Sequence, residues 1–408
     1  MKKVLSLVLA LAMALSFALT ANAETTKLEM LCWMSEQQEG IDAMVGAFNA
    51  SQSDIEVTVS YMSKSAYFEK LNIGLPAGSA PDIIALNVPS DIDYSTKGYL
   101  LNINDLFESG AIDLSKYPEH TVKAHTINGV ISGVPRDYDA IAVYYNKSLF
   151  DAAGVAYPTG DWTWEQFVET CKQLTNADAG VYGTALGSYP NSVVYDMIYS
   201  NGGAAFDADG KCVLNSAEAK DALQKLADLI LVDHAAPTME DLAEMGAGDR
   251  FLNGTVAMLF NGSWSMASYV EALGSDLGVC ALPAMGEKPA SISHSLIWAI
   301  PACTKNVDAA KTFLTYLASY DSQAMTANSV IPAYEGTDTL WVENFADYGA
   351  AVFTDMVSNG YAVSLPYSMT ASEETYNMIK SGFADVLATG NVDLLDDLTA
   401  SVNAKLAE

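Results

Sequence analysis

Positive charge is what this chain has least of. It carries 20 Lys and Arg against 50 Asp and Glu, a formal charge of −30, and only two of the basic residues are arginines, Arg136 and Arg250. The resulting field repels nucleic acid and anionic lipid. So few guanidinium groups also argue against a phosphate or carboxylate ligand held by paired arginine forks. The five cysteines, Cys32, Cys171, Cys212, Cys280 and Cys303, lack CxxC spacing, and an odd number leaves at least one thiol unpaired within the chain. Several sit in apolar or helical patterns and read as small buried hydrophobes, with a disulfide among them left open. The four histidines, His120, His125, His234 and His294, have no metal-ligand spacing. Hydrolase elbow, zincin and phosphate-loop patterns are missing, and Gly246-Ala-Gly248 neither follows a strand nor has the third glycine of a dinucleotide loop. Asp207-Ala-Asp-Gly210 begins like a calcium loop but the downstream glutamate is missing. No cofactor and no metal are therefore expected.

Long apolar runs are also scarce, with one exception. Lys2-Lys3, the apolar run Val4 to Leu19 and Ala21-Asn22-Ala23 make a secretory signal peptide over residues 1–23, expected to be cut after Ala23. No other stretch approaches the ~20 apolar residues of a membrane span. An exported protein, periplasmic or extracellular, follows. With 17% charged and 50% hydrophobic residues it is a folded globule. Residues 24–408 exceed what one hydrophobic core normally supports, so two lobes are expected.

The stretch from Gly133 to Lys147 lies between two separately patterned halves. Pro135 biases Val134 to an extended conformation, and Ile141, Val143 and Tyr145 alternate at strand period. It reads as the first bridge between the lobes. Before it, an apolar strand from Leu28 to Trp33 precedes a helix with Ile41, Met44, Val45 and Phe48 on one face. A strand over Ile55 to Val59, a helix from Ser65 to Ala77 and a strand from Asp82 to Ala85 follow, an order that predicts a parallel α/β sheet. Ligands of open α/β sheets meet the carboxyl ends of the strands, which puts Trp33, Tyr61, Asp91 and Asp93 on the lip of this lobe. After the bridge, Thr163 and Gln166 form a capping box ahead of Trp164, Phe167, Val168 and Cys171. Ser216 to Asp233 is a second helix, and a strand from Val256 to Phe260 ends at Asn261-Gly262 and delivers Trp264. Ser295 to Ile300 is another apolar strand, followed by a helix bearing Ala310, Phe313, Leu314 and Leu317. An irregular stretch with Pro332 leads to a mostly helical tail.

Several short pieces, in order across nearly the whole of residues 24–408, carry a resemblance. They are Ala77-Gly-Ser-Ala-Pro-Asp-Ile83, Gly133-Val-Pro135 leading to Tyr144-Tyr-Asn-Lys147, Phe251, Gly254, Ala257-Met258, Gly262-Ser-Trp264, Leu282-Pro283, Val307 to Phe313 and Ile331-Pro332. The chain resembles the family 1 extracellular solute-binding proteins, the maltose-binding-like sugar receptors of ABC importers. The resemblance implies an α/β, two-lobe periplasmic-binding-protein fold with a ligand cleft between the lobes and about three hinge crossings. On that scheme residues 24–137 plus 297–331 form one lobe and residues 138–296 plus 332–408 the other. It also implies a carbohydrate ligand, membrane permease subunits as partner, and no catalysis; a monomer is expected. Relatives from single-membrane bacteria usually carry a lipidated cysteine after the cleavage site. Glu24 stands there in this chain, so a soluble form is expected.

A sugar presents an apolar C–H face to aromatic rings and hydroxyls to carboxylates and amides. Trp33, Tyr61, Tyr138, Trp264 and Trp298 are the candidate aromatics, and Asp82, Asp93, Asp137, Asp139 and Asn261 the candidate polar contacts. For Trp298, in an apolar strand, core packing is the preferred reading, and Asp82 has local turn capping as its alternative. Two rival functions stay open. Acids and aromatics in a negative field would also hold a cation such as a polyamine. Asp137 and Asp139, at i and i+2 and about 7 Å apart at Cα, come within the ~5–9 Å range of a glycosidase carboxylate pair.

Overall fold

A computed structural model describes residues 25–187, 189–364 and 372–408. The expected signal peptide, residues 1–23, lies outside them. The chain opens with β1 (Thr26–Cys32), α1 (Gln38–Ser51), β2 (Ile55–Tyr61), α2 (Lys64–Ala77), β3 (Ile83–Asn87) and α3 (Val88–Thr96). The predicted stripe of α1, Ile41, Met44, Val45 and Phe48, is buried. The Ser63 hydroxyl accepts from Ala66 N–H to start α2, and Gly78 ends it at φ +69°, a conformation open to glycine without Cβ strain. Asn87 caps α3, with Pro89 in the first turn where no N–H is needed.

Next come β4 (Gly133–Tyr138), β5 (Ile141–Asn146), α4 (Trp164–Leu174), β6 (Tyr182–Ala185), α5 (Ala217–Leu231), β7 (Val256–Gly262), α6 (Met266–Leu273) and β8 (Leu277–Cys280). The chain closes with β9 (Ser291–Ser293), β10 (Ser295–Ala299), α7 (Val307–Leu317), β11 (Ile331–Pro332), β12 (Ala362–Ser364), α8 (Ser372–Thr389) and α9 (Leu394–Leu406). Both halves of the Thr163 and Gln166 capping box form at α4.

Two main sheets result. The larger has the order β11-β4-β10-β3-β1-β2 and the smaller β8-β5-β7-β6. β1 runs parallel to β2 and β3, as helical crossovers require, but β10 lies antiparallel to both β3 and β4. The expectation of a parallel sheet thus holds for three strands only, because β10 returns from the other sheet and enters from the opposite direction, and β11 also runs antiparallel to β4. β5 is buried at every residue, since β8 and β7 flank it and helices cover it. Each sheet has its own core, one around Phe48, Ile83 and Phe313 and the other around Tyr144, Phe167, Met258 and Phe383.

The backbone leaves the larger sheet between Tyr138 and Ile141, returns through His294 into β10, and leaves again after Pro332. This is the two-lobe periplasmic-binding-protein architecture. All five cysteines are free thiols, and all but Cys303 are buried. No described helix is long and apolar enough to cross a membrane.

Candidate ligand site

Between the two sheets, where β1, β3, β4 and β7 end, lies a cavity of about 410 Å³. This is within the size range of small-molecule sites. Trp33 follows β1 and Asn87 ends β3; Asp137 and Tyr138 end β4, and Asp139 and His294 belong to the crossings. Ser263 and Trp264 enter from the other side, at the turn between β7 and α6. Trp33 is held edge-on by Tyr67, with centroids 4.8 Å apart. Trp264 is braced edge-on by His294 at 5.4 Å. The two half-buried indoles therefore come from opposite lobes.

The polar groups between them are fixed by the crossings. Asp137 Oδ1 accepts from the N–H of Leu296, and its Oδ2 lies 3.4 Å from Arg136 Nε. Burial raises the Asp137 carboxyl above the ordinary carboxylate range, and the Arg136 guanidinium opposes that rise. Arg136 donates to Gln37 Oε1 at 2.6 Å and sits 4.9 Å above the Trp298 ring, so it braces Gln37 at the cavity wall from behind. Asp139 Oδ1 accepts from the His294 N–H and lies 2.7 Å from His294 Nδ1, tying the first crossing to the second. Behind them Asp196 Oδ1 accepts from Ile292 N–H while Oδ2 is buried without a partner, and burial pushes this carboxyl up to about 7.

A second cavity of about 750 Å³ adjoins the first and shares Lys64, Asn87 and Trp264 with it. Its walls come from α3 of one lobe and α8 of the other, and Ser90 Oγ donates to Glu373 Oε1 at 3.1 Å across it. Asp93, Tyr189, Asn261, Tyr376 and Lys380 also line it. Asn261 is positioned by donating to Ser265 Oγ and Tyr269 OH. Two further spaces adjoin these, one of about 610 Å³ past Tyr189 and Lys380 and one of about 240 Å³ past Gln37 and Trp264.

Seven of the ten candidate residues thus line the cleft: Trp33, Asp137, Tyr138, Asp139 and Trp264 in the first cavity, and Asp93 and Asn261, with Trp264 again, in the second. Three do not line either cavity. Asp82 precedes β3 and so lies at its amino end, away from the cleft; its carboxylate accepts from Glu29 N–H and from the Thr304 hydroxyl. Trp298 is 1% exposed and packs in the core of the larger sheet. Tyr61 ends β2, the outermost strand, and its hydroxyl donates to Asp42 Oδ1.

Residues 34–324 match the family described as bacterial extracellular solute-binding protein. The chain belongs to that family. Among its relatives, a lactose-binding protein of Rhizobium radiobacter is 24% identical over 359 residues, covering 78% of this chain and 82% of the relative. A maltooligosaccharide ABC transporter solute-binding lipoprotein of Streptococcus pneumoniae is 22% identical, covering 72% and 69%. An ABC substrate-binding protein from Listeria monocytogenes, solved in complex with cycloalternan, superposes with a TM-score of 0.86 at 25% identity, over 94% of this chain and all of that one.

The solute-binding cleft also holds residues that the sequence did not single out. Gln37, Lys64, Asn87 and His294 line the first cavity, and Tyr189, Glu373, Tyr376 and Lys380 the second. For Asn87 a signal existed, an asparagine that ends an apolar strand and stands two residues before a proline. Tyr189 carried none, and neither did Lys380, which only the packing of α8 over α3 brings to the cleft.

Proposed function

We propose that this solute-binding protein captures a carbohydrate, a mono- or oligosaccharide, in the interlobe cleft and delivers it by hinge closure to the permease of an ABC importer. The observation that carries this is one cavity lined by an indole from each lobe, Trp33 and Trp264, together with Gln37, Asn87, Asp137 and Asp139. Aromatic faces take the C–H surface of a sugar ring, and the amides and carboxylates take its hydroxyls. The relatives' names point the same way: lactose, maltooligosaccharide and cycloalternan.

The working lobes are residues 24–137 plus 297–331 and residues 138–296 plus 332–408, acting as a soluble exported monomer. Asp137, Tyr138, Asp139, Trp264, Trp33, Asp93 and Asn261 make the ligand contacts. The protein binds without cleaving. Asp137 and Asp139 each give an oxygen to a backbone N–H, of Leu296 and His294 respectively. Both rise from one crossing, whereas a hydrolase places its carboxylates on two sides of the scissile bond.

The test is a thermal-shift panel of mono- and oligosaccharides with spermidine alongside. A ligand at 100 times its Kd adds about 2.7 kcal/mol of stability. A shift with spermidine and with no saccharide would overturn the reading in favour of a cationic ligand. Prolonged incubation with the best-binding saccharide is expected to release no new reducing ends.

A further inference from the structure

The second cavity gathers several lysines in an acidic molecule. Of the chain's 18 lysines, three line it: Lys64 at the start of α2, Lys97 just after α3, and Lys380 in α8. Seven others, Lys27, Lys116, Lys172, Lys220, Lys225, Lys311 and Lys405, are each ion-paired with a carboxylate. The three in the cavity form no ion pair among the described residues, in common with six further described lysines, and what sets the three apart is that they line one cavity. Lys380 is instead held over the Tyr189 ring at 4.1 Å. Three ammonium groups around one open cleft offer an entering anion several cationic partners.

Two acids also line this cavity, one on each side, and each has a partner. Glu373 accepts from Ser90 Oγ, and Asp93 lies on the α3 side with a partner of its own. Neither arginine reaches the cavity. Arg136 is buried against Trp298, and Arg250 donates to the carbonyls of Met245 and Asp241. The scarcity of arginine argued against a fork-held anion, and it leaves a different arrangement: ammonium point charges with Asn72, Asn87, Asn377 and Ser192 as neutral donors around them.

We propose that the ligand is an acidic oligosaccharide whose neutral end lies between Trp33 and Trp264 and whose anionic substituent, a uronate carboxylate or a sulfate ester, enters the cavity formed by Lys64, Lys97 and Lys380. The inference rests on the carbohydrate reading and narrows it. Trp264 borders both cavities, so one sugar unit stacked there leaves the next within reach of the lysines.

Calorimetric titration with tetrasaccharides of glucose and of galactose tests this, each in three forms: neutral, oxidised at C6 to the uronate, and sulfated. An anionic form is expected to bind about tenfold more tightly than its neutral parent at low salt, with the gap shrinking as ionic strength rises. Gain with the uronate alone, or with the sulfate alone, identifies the substituent. Lys97→Gln and Lys380→Gln should each lower the anionic-to-neutral affinity ratio by about threefold or more, with unchanged melting temperatures of the unliganded proteins. Neutral forms binding as tightly as anionic ones, or a ratio unmoved by both substitutions, would overturn the inference and leave the carbohydrate reading standing. If no saccharide of any form binds, both fall.

Discussion

Trp264 has its place because of the glycine two residues before it. A Cβ on Gly262 would lie 1.9 Å from the Trp264 ring, so the indole packs directly against bare backbone there. Trp264→Ala should weaken saccharide binding by about 1–3 kcal/mol through loss of the stacking face. Gly262→Ala should weaken it comparably by pushing the ring aside, and a titration that finds neither variant impaired would remove Trp264 from the site. Asp196 makes a second prediction at this scale. Its pKa is raised by burial from 3.8 to about 7, so the fold favours its protonated form. That contribution is full below the unfolded value and is lost as pH rises through about 7, a change on the order of 4 kcal/mol. His294, which attracts the ionised form, and Asp139, which opposes it, are the charged groups acting on it. Urea denaturation between pH 4 and pH 8 should show the wild type losing stability relative to Asp196→Asn, and parallel curves would contradict the assignment.

At the scale of elements, α4 is a support and not part of the site. Thr163 accepts from Gln166 N–H and Gln166 Oε1 accepts from Thr163 N–H. Thr163→Ala should lower stability by about 1 kcal/mol, with ligand affinity unchanged by calorimetry. Gly133 begins the strand that becomes the first crossing, and a Cβ there would meet Trp298 O at 2.5 Å. Gly133→Ala should cost about 1–3 kcal/mol by forcing β4 away from β10. Much of this level was legible in the sequence. The capping box, the stripe of α1 and the buried face of α7 follow from periodicity and capping chemistry, which act over a few residues. The antiparallel entry of β10 was not legible, because it depends on where the chain has been in between. The site divides the same way: residues at strand ends, such as Trp33, Asp137 and Trp264, follow from the rule that ligands meet strand ends. Glu373 and Lys380 come to the cleft only when α8 packs over α3, and nothing local marks them or Tyr189. Asp82 misled because it adjoins β3 at the wrong end, whereas Trp298 lies in the core, the reading its apolar strand favoured.

For the molecule as a whole, the two lobes have separate cores and are joined by three crossings, of which the first two are tied by Asp139 and His294. The lobes can therefore stay rigid while the crossings absorb the change in φ and ψ. A ligand that touches Trp33 on one lobe and Trp264 on the other gains contacts in the closed state that the open state lacks, and this difference drives the closure. The Ser90 to Glu373 hydrogen bond spans α3 of one lobe and α8 of the other. A permease can then tell loaded from empty receptor by the spacing of groups on the two lobes. The most direct measurement is small-angle scattering of the protein with and without a saturating saccharide taken from the binding panel. The account predicts a smaller radius of gyration in the loaded protein, and an unchanged radius at saturation would contradict capture by closure of the two lobes.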